Sequence, residues 1–151
     1  DRQLLDRGID MRLGRESIAL SQKSVITCLA SSYVKLNPNV TGTEAYDLMK
    51  NAGMVESYVV DESGKFIGKL EIFDAVSASK NNVLDFLSTD PVTLYENDSL
   101  QKAMLKTVDF VGESIPILSA DKKYLKAVVS EGSIFQAVID VQDSVSKIER
   151  A

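Results

Sequence analysis

Residues 57–74 read SYVVDESGKFIGKLEIFD, and residues 114–132 read SIPILSADKKYLKAVVSEG. Each stretch sets a short apolar run before a polar, turn-forming cluster and a second apolar run after it, the pattern of a β-hairpin. In the first, strands over Ser57 to Val60 and Phe66 to Glu71 flank the turn Asp61-Glu62-Ser63-Gly64. In the second, strands over Ser114 to Leu118 and Tyr124 to Val129 flank Ser119 to Lys123. Pro116 is expected where its missing N–H has no partner to serve.

Extended outward, the two stretches become copies of one another. A shift of 58 lays Val25 on Val83, Leu29 on Leu87, Val34 on Val92, Leu36 on Leu94, Thr41 on Ser99 and Ala45 on Ala103. The shift drops to 57 at Tyr58-Val59-Val60 over Ile115-Pro116-Ile117 and returns to 58 at Phe66-Ile67 over Tyr124-Leu125, so the length changes fall in loops. The chain is an internal repeat.

Each half predicts the same elements. A short helix (24–29; 82–87) leads to a brief strand at Val34 to Leu36, or Val92 to Leu94. A longer helix follows. Its start is marked by the capping-box spacing Thr41 to Glu44 in the first half and Asp98 to Gln101 in the second. Ala45, Leu48, Met49 and Ala52, and Leu100, Ala103, Met104 and Val108, recur at helical spacing and give each helix one buried face. Gly53 stands where a helix C-terminus needs positive φ. After each hairpin comes a closing helix, over 72–79 and 132–149. The expected fold is α+β: two β-α-β-β-α repeats packed as a pseudo-two-fold pair, each too small to hold a core alone. Residues 1–23, charge-mixed, read as a connector from a preceding region; 24–80 form repeat 1 and 81–151 form repeat 2 with its C-terminal helix.

Composition narrows the chemistry. The 151 residues include no His, one Cys and no Trp. Nucleophile pairs that need imidazole and Cys- or His-ligated zinc are thereby excluded, and no metal site is expected. Cys28 reads as a small core residue. The net charge of −5 argues against a nucleic-acid partner. No apolar run reaches the ~18 residues of a membrane span, so direct insertion of this stretch into a bilayer is not expected. Without a G-x-x-x-x-G-K-S/T loop or a paired acid and base, the chain is expected to bind and transmit rather than to catalyse.

In their order and spacing, Ser57-Tyr-Val-Val-Asp61, Gly64-Lys-Phe-Ile-Gly68, Asp74 and Ser114-Ile-Pro-Ile-Leu118 resemble the signature portions of a tandem pair of cystathionine-β-synthase domains, the CBS pair or Bateman module. The preceding Leu5-Asp-Arg-Gly-Ile-Asp10 and Arg12-Leu-Gly-Arg15 resemble the connector between the last membrane helix and the CBS pair of ClC-type chloride channels and transporters. The resemblance implies a regulatory and dimerisation module at the cytoplasmic face of the cell membrane, joined to the transmembrane domain of a parent protein. It needs no cofactor, and its candidate ligand is an adenine nucleotide (AMP, ADP or ATP). A regulatory appendage of a soluble enzyme and a ligand-free structural dimeriser are the alternatives.

In such pairs a Gly-x-x-Thr/Ser-x-x-Asp run handles phosphate and ribose. Here the run is Gly68-Lys69-Leu70-Glu71-Ile72-Phe73-Asp74, which keeps the carboxylate and has Glu71 in place of the hydroxyl. The resemblance therefore implies one nucleotide per chain at Asp74, with Thr89, Ser114 and Ile115 beside the adenine. The mirrored cleft, where Ser31 and Tyr58 face Gly132, lacks the carboxylate and is expected to stay empty. Asp74 also suits a helix N-cap. Tyr33, Tyr58 and Tyr124, at strand spacing, fit a core better than a stacking platform. Lys122, Lys123 and Lys126 fit a solvated turn. Homodimerisation is expected from apolar residues beyond the need of one small core, Leu48, Met49, Leu105 and Ile134 among them.

Overall fold

The computed structural model describes residue 3, residues 14–88 and residues 90–150. After helix α1 (residues 14–22) the chain forms β1 (Val34–Leu36), α2 (Gly42–Ala52), β2 (Glu56–Val60), β3 (Phe66–Glu71) and α3 (Ile72–Ala78). It then repeats the order as β4 (Leu94–Tyr95), α4 (Leu100–Thr107), β5 (Ile115–Leu118), β6 (Leu125–Val129) and α5 (Glu131–Arg150). The sheets run β1-β2-β3 and β4-β5-β6. In each, the first pair is parallel, which requires a crossover, and α2 or α4 supplies it; the second pair is the antiparallel hairpin. The expected pair of β-α-β-β-α repeats is what the structure contains.

Helix α2 starts where Thr41 Oγ1 accepts the Glu44 N–H at 3.2 Å, and it ends at Gly53, whose φ of +67° lets its N–H reach the Met49 and Lys50 carbonyls. Its Gly42 serves a close approach: a Cβ there would run into the Ala75 carbonyl oxygen and stand 2.6 Å from Ser79 N. In the second repeat the expected cap Asp98 is replaced by Ser99, whose Oγ accepts the Lys102 N–H at 3.1 Å. Asp98 is drawn away by stronger partners, the Tyr95 N–H at 2.9 Å and the ammonium groups of Lys106 and Lys102. Burial pushes its carboxyl up, but these contacts outweigh it and hold the group below the usual carboxylate range. Pro116 lies on the central strand opposite Val128, and β4 pairs only with Ile117 and Leu118 beyond it.

The two cores do not follow the two halves of the sequence. Val25 and Cys28, from the start of the first repeat, are buried with Leu94, Leu100, Ile115, Ile117, Val129 and Ile134 of the second. Val83 is buried with Val34, Leu36, Ala45, Met49, Val59 and Leu70 of the first. The backbone records the same exchange: Val25 N–H donates to Asp98 O and Leu100 N–H to Lys23 O, while Val83 N–H donates to Val40 O and Gly42 N–H to Asn81 O. The 3-10 turns Val25–Thr27 and Val83–Phe86 are thus each packed into the opposite repeat's core. At the hairpin tips the sheets also meet, through Phe66 N–H to Lys123 O and Leu125 N–H to Gly64 O.

Met49 and Ile134, counted among the apolar residues beyond one core's need, are fully buried, Met49 on the face its helical spacing marks, whereas Leu48 and Val108, expected on the buried faces of α2 and α4, are exposed. Leu105 (70%), Val108 (74%) and Val111 (93%) are the apolar residues that α4 and its following loop leave to solvent. Cys28 is a core residue, and burial pushes its thiol up. Among the described residues no helix is long and apolar enough to cross a membrane.

Candidate functional site

A cleft of about 380 Å³ opens between the repeats, lined by Ser31, Ser32, Tyr33, Gly53, Met54, Val55, Glu56, Glu113 and Ser114. The segment before β1 supplies the first three. Its position is set by Ser31 N–H donating to Val128 O and by Ser133 Oγ donating to Leu29 O, which dock it against β6 and the start of α5. The turn out of α2 supplies Gly53 to Val55. Its left-handed glycine carries no side chain into the opening.

The floor is polar and crosses from one repeat to the other. Glu56, 7% exposed, accepts from Ser114 Oγ at 2.7 Å and from the Glu113 N–H at 3.2 Å, and pairs with Lys69 Nζ at 3.1 Å. Lys69, 4% exposed, also donates to the Ser114 carbonyl at 2.8 Å. The single hydroxyl hydrogen of Ser114 is committed to the carboxylate, so Tyr58, 2.7 Å away, donates its own to Ser114 Oγ. Two opposite charges that bind each other and neutral donors or acceptors can be kept away from water, where either alone could not. Burial, more than the nearby Glu56 charge, pushes the Tyr58 phenol well above its usual range, against the lowering effect of its bond to Ser114. Tyr33 meets the fully buried Tyr58 ring edge to face at 5.7 Å, so one aromatic lines the cleft and the other supports it.

Of the residues that the sequence set beside a nucleotide, the cleft contains Ser114; it also holds Ser31, placed by the sequence in the cleft expected to stay empty, and Tyr33, expected in the core. Ile115 is fully enclosed in the second core. Asp74 lies half-buried in the first turn of α3 and does not cap it: Glu71 occupies the N-cap position and makes no side-chain cap bond. The N-cap reading of Asp74 is corrected accordingly, since the strand runs on to Glu71 and the helix begins before Asp74 is reached. Thr89 lies outside the described residues, as do residues 5–13 of the ClC-like stretch.

The cleft the structure displays is on the Ser31 side, the one the sequence left without a ribose carboxylate. Its counterpart differs in a residue that the repeat shift already marks. Where the first repeat carries Gly53, the second, at a shift of 57, carries Phe110, whose ring packs against the second core with Lys69 Nζ 5.4 Å from its centroid. Sequence reasoning also passed over Glu56 and Lys69. The available signal was a lysine set between Gly68 and Leu70 inside a strand whose other residues before Glu71 are uncharged.

Residues 24–81 match the family model of the CBS domain. The chain is 33% identical over 98 residues to the glycine betaine transport ATP-binding protein OpuAA of Bacillus subtilis (strain 168), a stretch that is 62% of this chain and 22% of that protein. It thus spans about a fifth of the length of the curated relative it matches. Among solved structures it resembles a CBS domain pair/ACT domain protein from Thermotoga maritima, with a TM-score of 0.67 at 20% identity, covering 78% of this chain and 97% of that one. It also resembles CbpB in complex with c-di-AMP, with a TM-score of 0.72 at 13% identity, covering 91% and 98% respectively. The fold is that of a tandem CBS-domain pair.

Proposed function

We propose that this chain is the regulatory CBS-domain pair of a transporter, and that the cleft between its repeats receives the nucleoside part of an adenine nucleotide. The observation that carries the reading is the site's construction. Its walls come from both repeats, and its floor is the Glu56–Lys69–Ser114–Tyr58 link that joins them. A ligand seated there touches both sides of the link and so favours one arrangement of the repeats over another, which is the requirement for a binding event to be transmitted. The c-di-AMP of the CbpB complex is an adenine nucleotide held by a protein of this fold, which supports the choice of ligand class.

The likeness to OpuAA favours an ATP-binding subunit of a transporter as the parent, in preference to the ClC-type channel or transporter suggested by residues 5–15. In either setting the module works at the cytoplasmic face of a membrane without entering it, catalyses nothing itself, and pairs with a second copy through faces such as Leu105, Val108 and Val111.

Thermal-shift and calorimetric titration of the 151-residue chain with adenosine, AMP, ADP, ATP and c-di-AMP tests the ligand. Saturable binding weakened by Tyr33→Ala supports the cleft. Binding weakened by Asp74→Ala and not by Tyr33→Ala moves the site to the Asp74 side. No response at millimolar concentration leaves a structural dimeriser. Sedimentation at tens of micromolar tests the pairing, with a stable 16.5 kDa species refuting it.

A further inference from the structure

Resting on that reading, we infer that the cleft selects an uncharged or cationic nucleoside over its phosphorylated forms, and that Glu113 is the residue that sets this preference. The described lining offers the hydroxyls of Ser31, Ser32 and Tyr33 and the carboxylate of Glu113, the Ser114 hydroxyl and the Glu56 carboxylate being engaged with each other, and it has neither lysine nor arginine. The ammonium of Lys69, which bonds two residues of the lining, is engaged by Glu56 and the Ser114 carbonyl and is shut away from solvent, so it cannot turn to a phosphate without breaking the link beneath the cleft. The Glu113 N–H, which would otherwise serve an anion, donates to Glu56.

Glu56 and Lys69 cancel, and the exposed Glu113 then leaves the opening with a net negative charge. The start of α5, docked on Leu29 through Ser133, carries Glu131 in its first turn, a further negative charge next to the segment that supplies Ser31 to Tyr33, and its Ser133 N–H is taken by Ser130 Oγ. The volume, about 380 Å³, is at the lower end of the range of small-ligand pockets, about 300–1,000 Å³, and suits a nucleoside. Ribose hydroxyls and ring nitrogens can use the serine and tyrosine hydroxyls, and an amino group can use a carboxylate.

The test is calorimetric titration of the 151-residue chain with adenosine, AMP and ATP at low ionic strength without divalent cations, repeated with Glu113→Gln after a thermal melt has shown the variant folded. The expected result is a dissociation constant that rises at least about tenfold from adenosine to ATP, with AMP between, as repulsion between like charges near a protein surface requires. Glu113→Gln should reduce the adenosine-to-ATP ratio several-fold, and salt should reduce it in the unaltered protein by screening. ATP binding as tightly as adenosine, or a ratio unchanged by Glu113→Gln, overturns the selectivity while leaving the nucleoside site in place. Absence of binding by all three overturns the nucleoside reading itself, and this inference falls with it.

Discussion

The Lys69 ammonium lies 3.1 Å from the Glu56 carboxylate, and each member of this buried pair reaches across to the other repeat, Lys69 to the carbonyl of Ser114 and Glu56 to its hydroxyl. The pair is formed within one sheet, yet its remaining bonding capacity is spent on the second. Its integrity and the seating of β5 against the first repeat are therefore one property.

Removing one charge of the pair should destabilise the protein severely. Glu56→Gln or Lys69→Met leaves the other charge buried and uncompensated, and each should cost about 3–5 kcal/mol in urea unfolding. The double variant should cost less than the sum of the two. Strictly additive losses would show that the pair is not coupled.

Gly42→Ala should lower stability by about 1–3 kcal/mol, because the added methyl meets backbone of α3 rather than a side chain that could swing away. A thermal melt reads this as a fall of several degrees. Gly14, whose Cβ would meet nothing within 4 Å, is the control, and Gly14→Ala should leave the melt nearly unmoved.

Asp98 gives an acid-side signature. Its folded pKa lies below the unfolded value of about 3.9, so the stability it adds is present above that value and is lost as pH falls through the folded one. The gap in urea midpoint between the unaltered chain and Asp98→Asn should stay constant from pH 7 to pH 5. It should close below about pH 4. A gap that persists unchanged at pH 3 would contradict the assignment.

Tyr58 gives the opposite limb. Its folded pKa is raised, so its contribution is complete below the unfolded value near 10 and declines as pH rises beyond it. Tyr58→Phe should cost about 1 kcal/mol at neutral pH through the lost bond to Ser114. Above about pH 10 it should lose stability less steeply than the unaltered chain. Parallel alkaline limbs would place the sensitive group elsewhere.

Much of the fold is legible in the chain because it is written locally. The strand Phe66–Glu71 and the cap at Thr41 follow from alternation and from a hydroxyl three residues before a glutamate, and both are found where the pattern put them. Asp98 and Ser99 have similar capping propensity, and the shift that lays Thr41 on Ser99 points to the serine; what the sequence does not show is that Tyr95 and Lys106 occupy Asp98. The burial of Met49 is legible in the spacing that sets it with Ala45 on one helix face, whereas that of Ile134 depends on which side of the long last helix meets a sheet. The candidate site was least legible. Glu56 and Lys69 are thirteen positions apart and become partners only through the β2–β3 register, in which Glu56 faces Glu71 and Lys69 faces Tyr58. The shift of 57 and 58 shows that Val25 and Val83 are equivalent but not that each is buried with the other's repeat, since equivalence under a shift is silent about exchange.

That exchange has a consequence for how such a molecule can arise and be taken apart. A single repeat cut from this chain would lack the turn that fills its own core and would carry one that fits only a sibling's, so two separate copies could complete each other by trading turns. Tethering the copies converts that trade from an encounter between molecules into one within a chain, at an effective concentration that a short linker holds near the millimolar range. The tandem chain thus carries its own partner, and cleavage of the peptide between α3 and the turn at Val83 should leave two fragments that stay together at high concentration and fall apart on dilution.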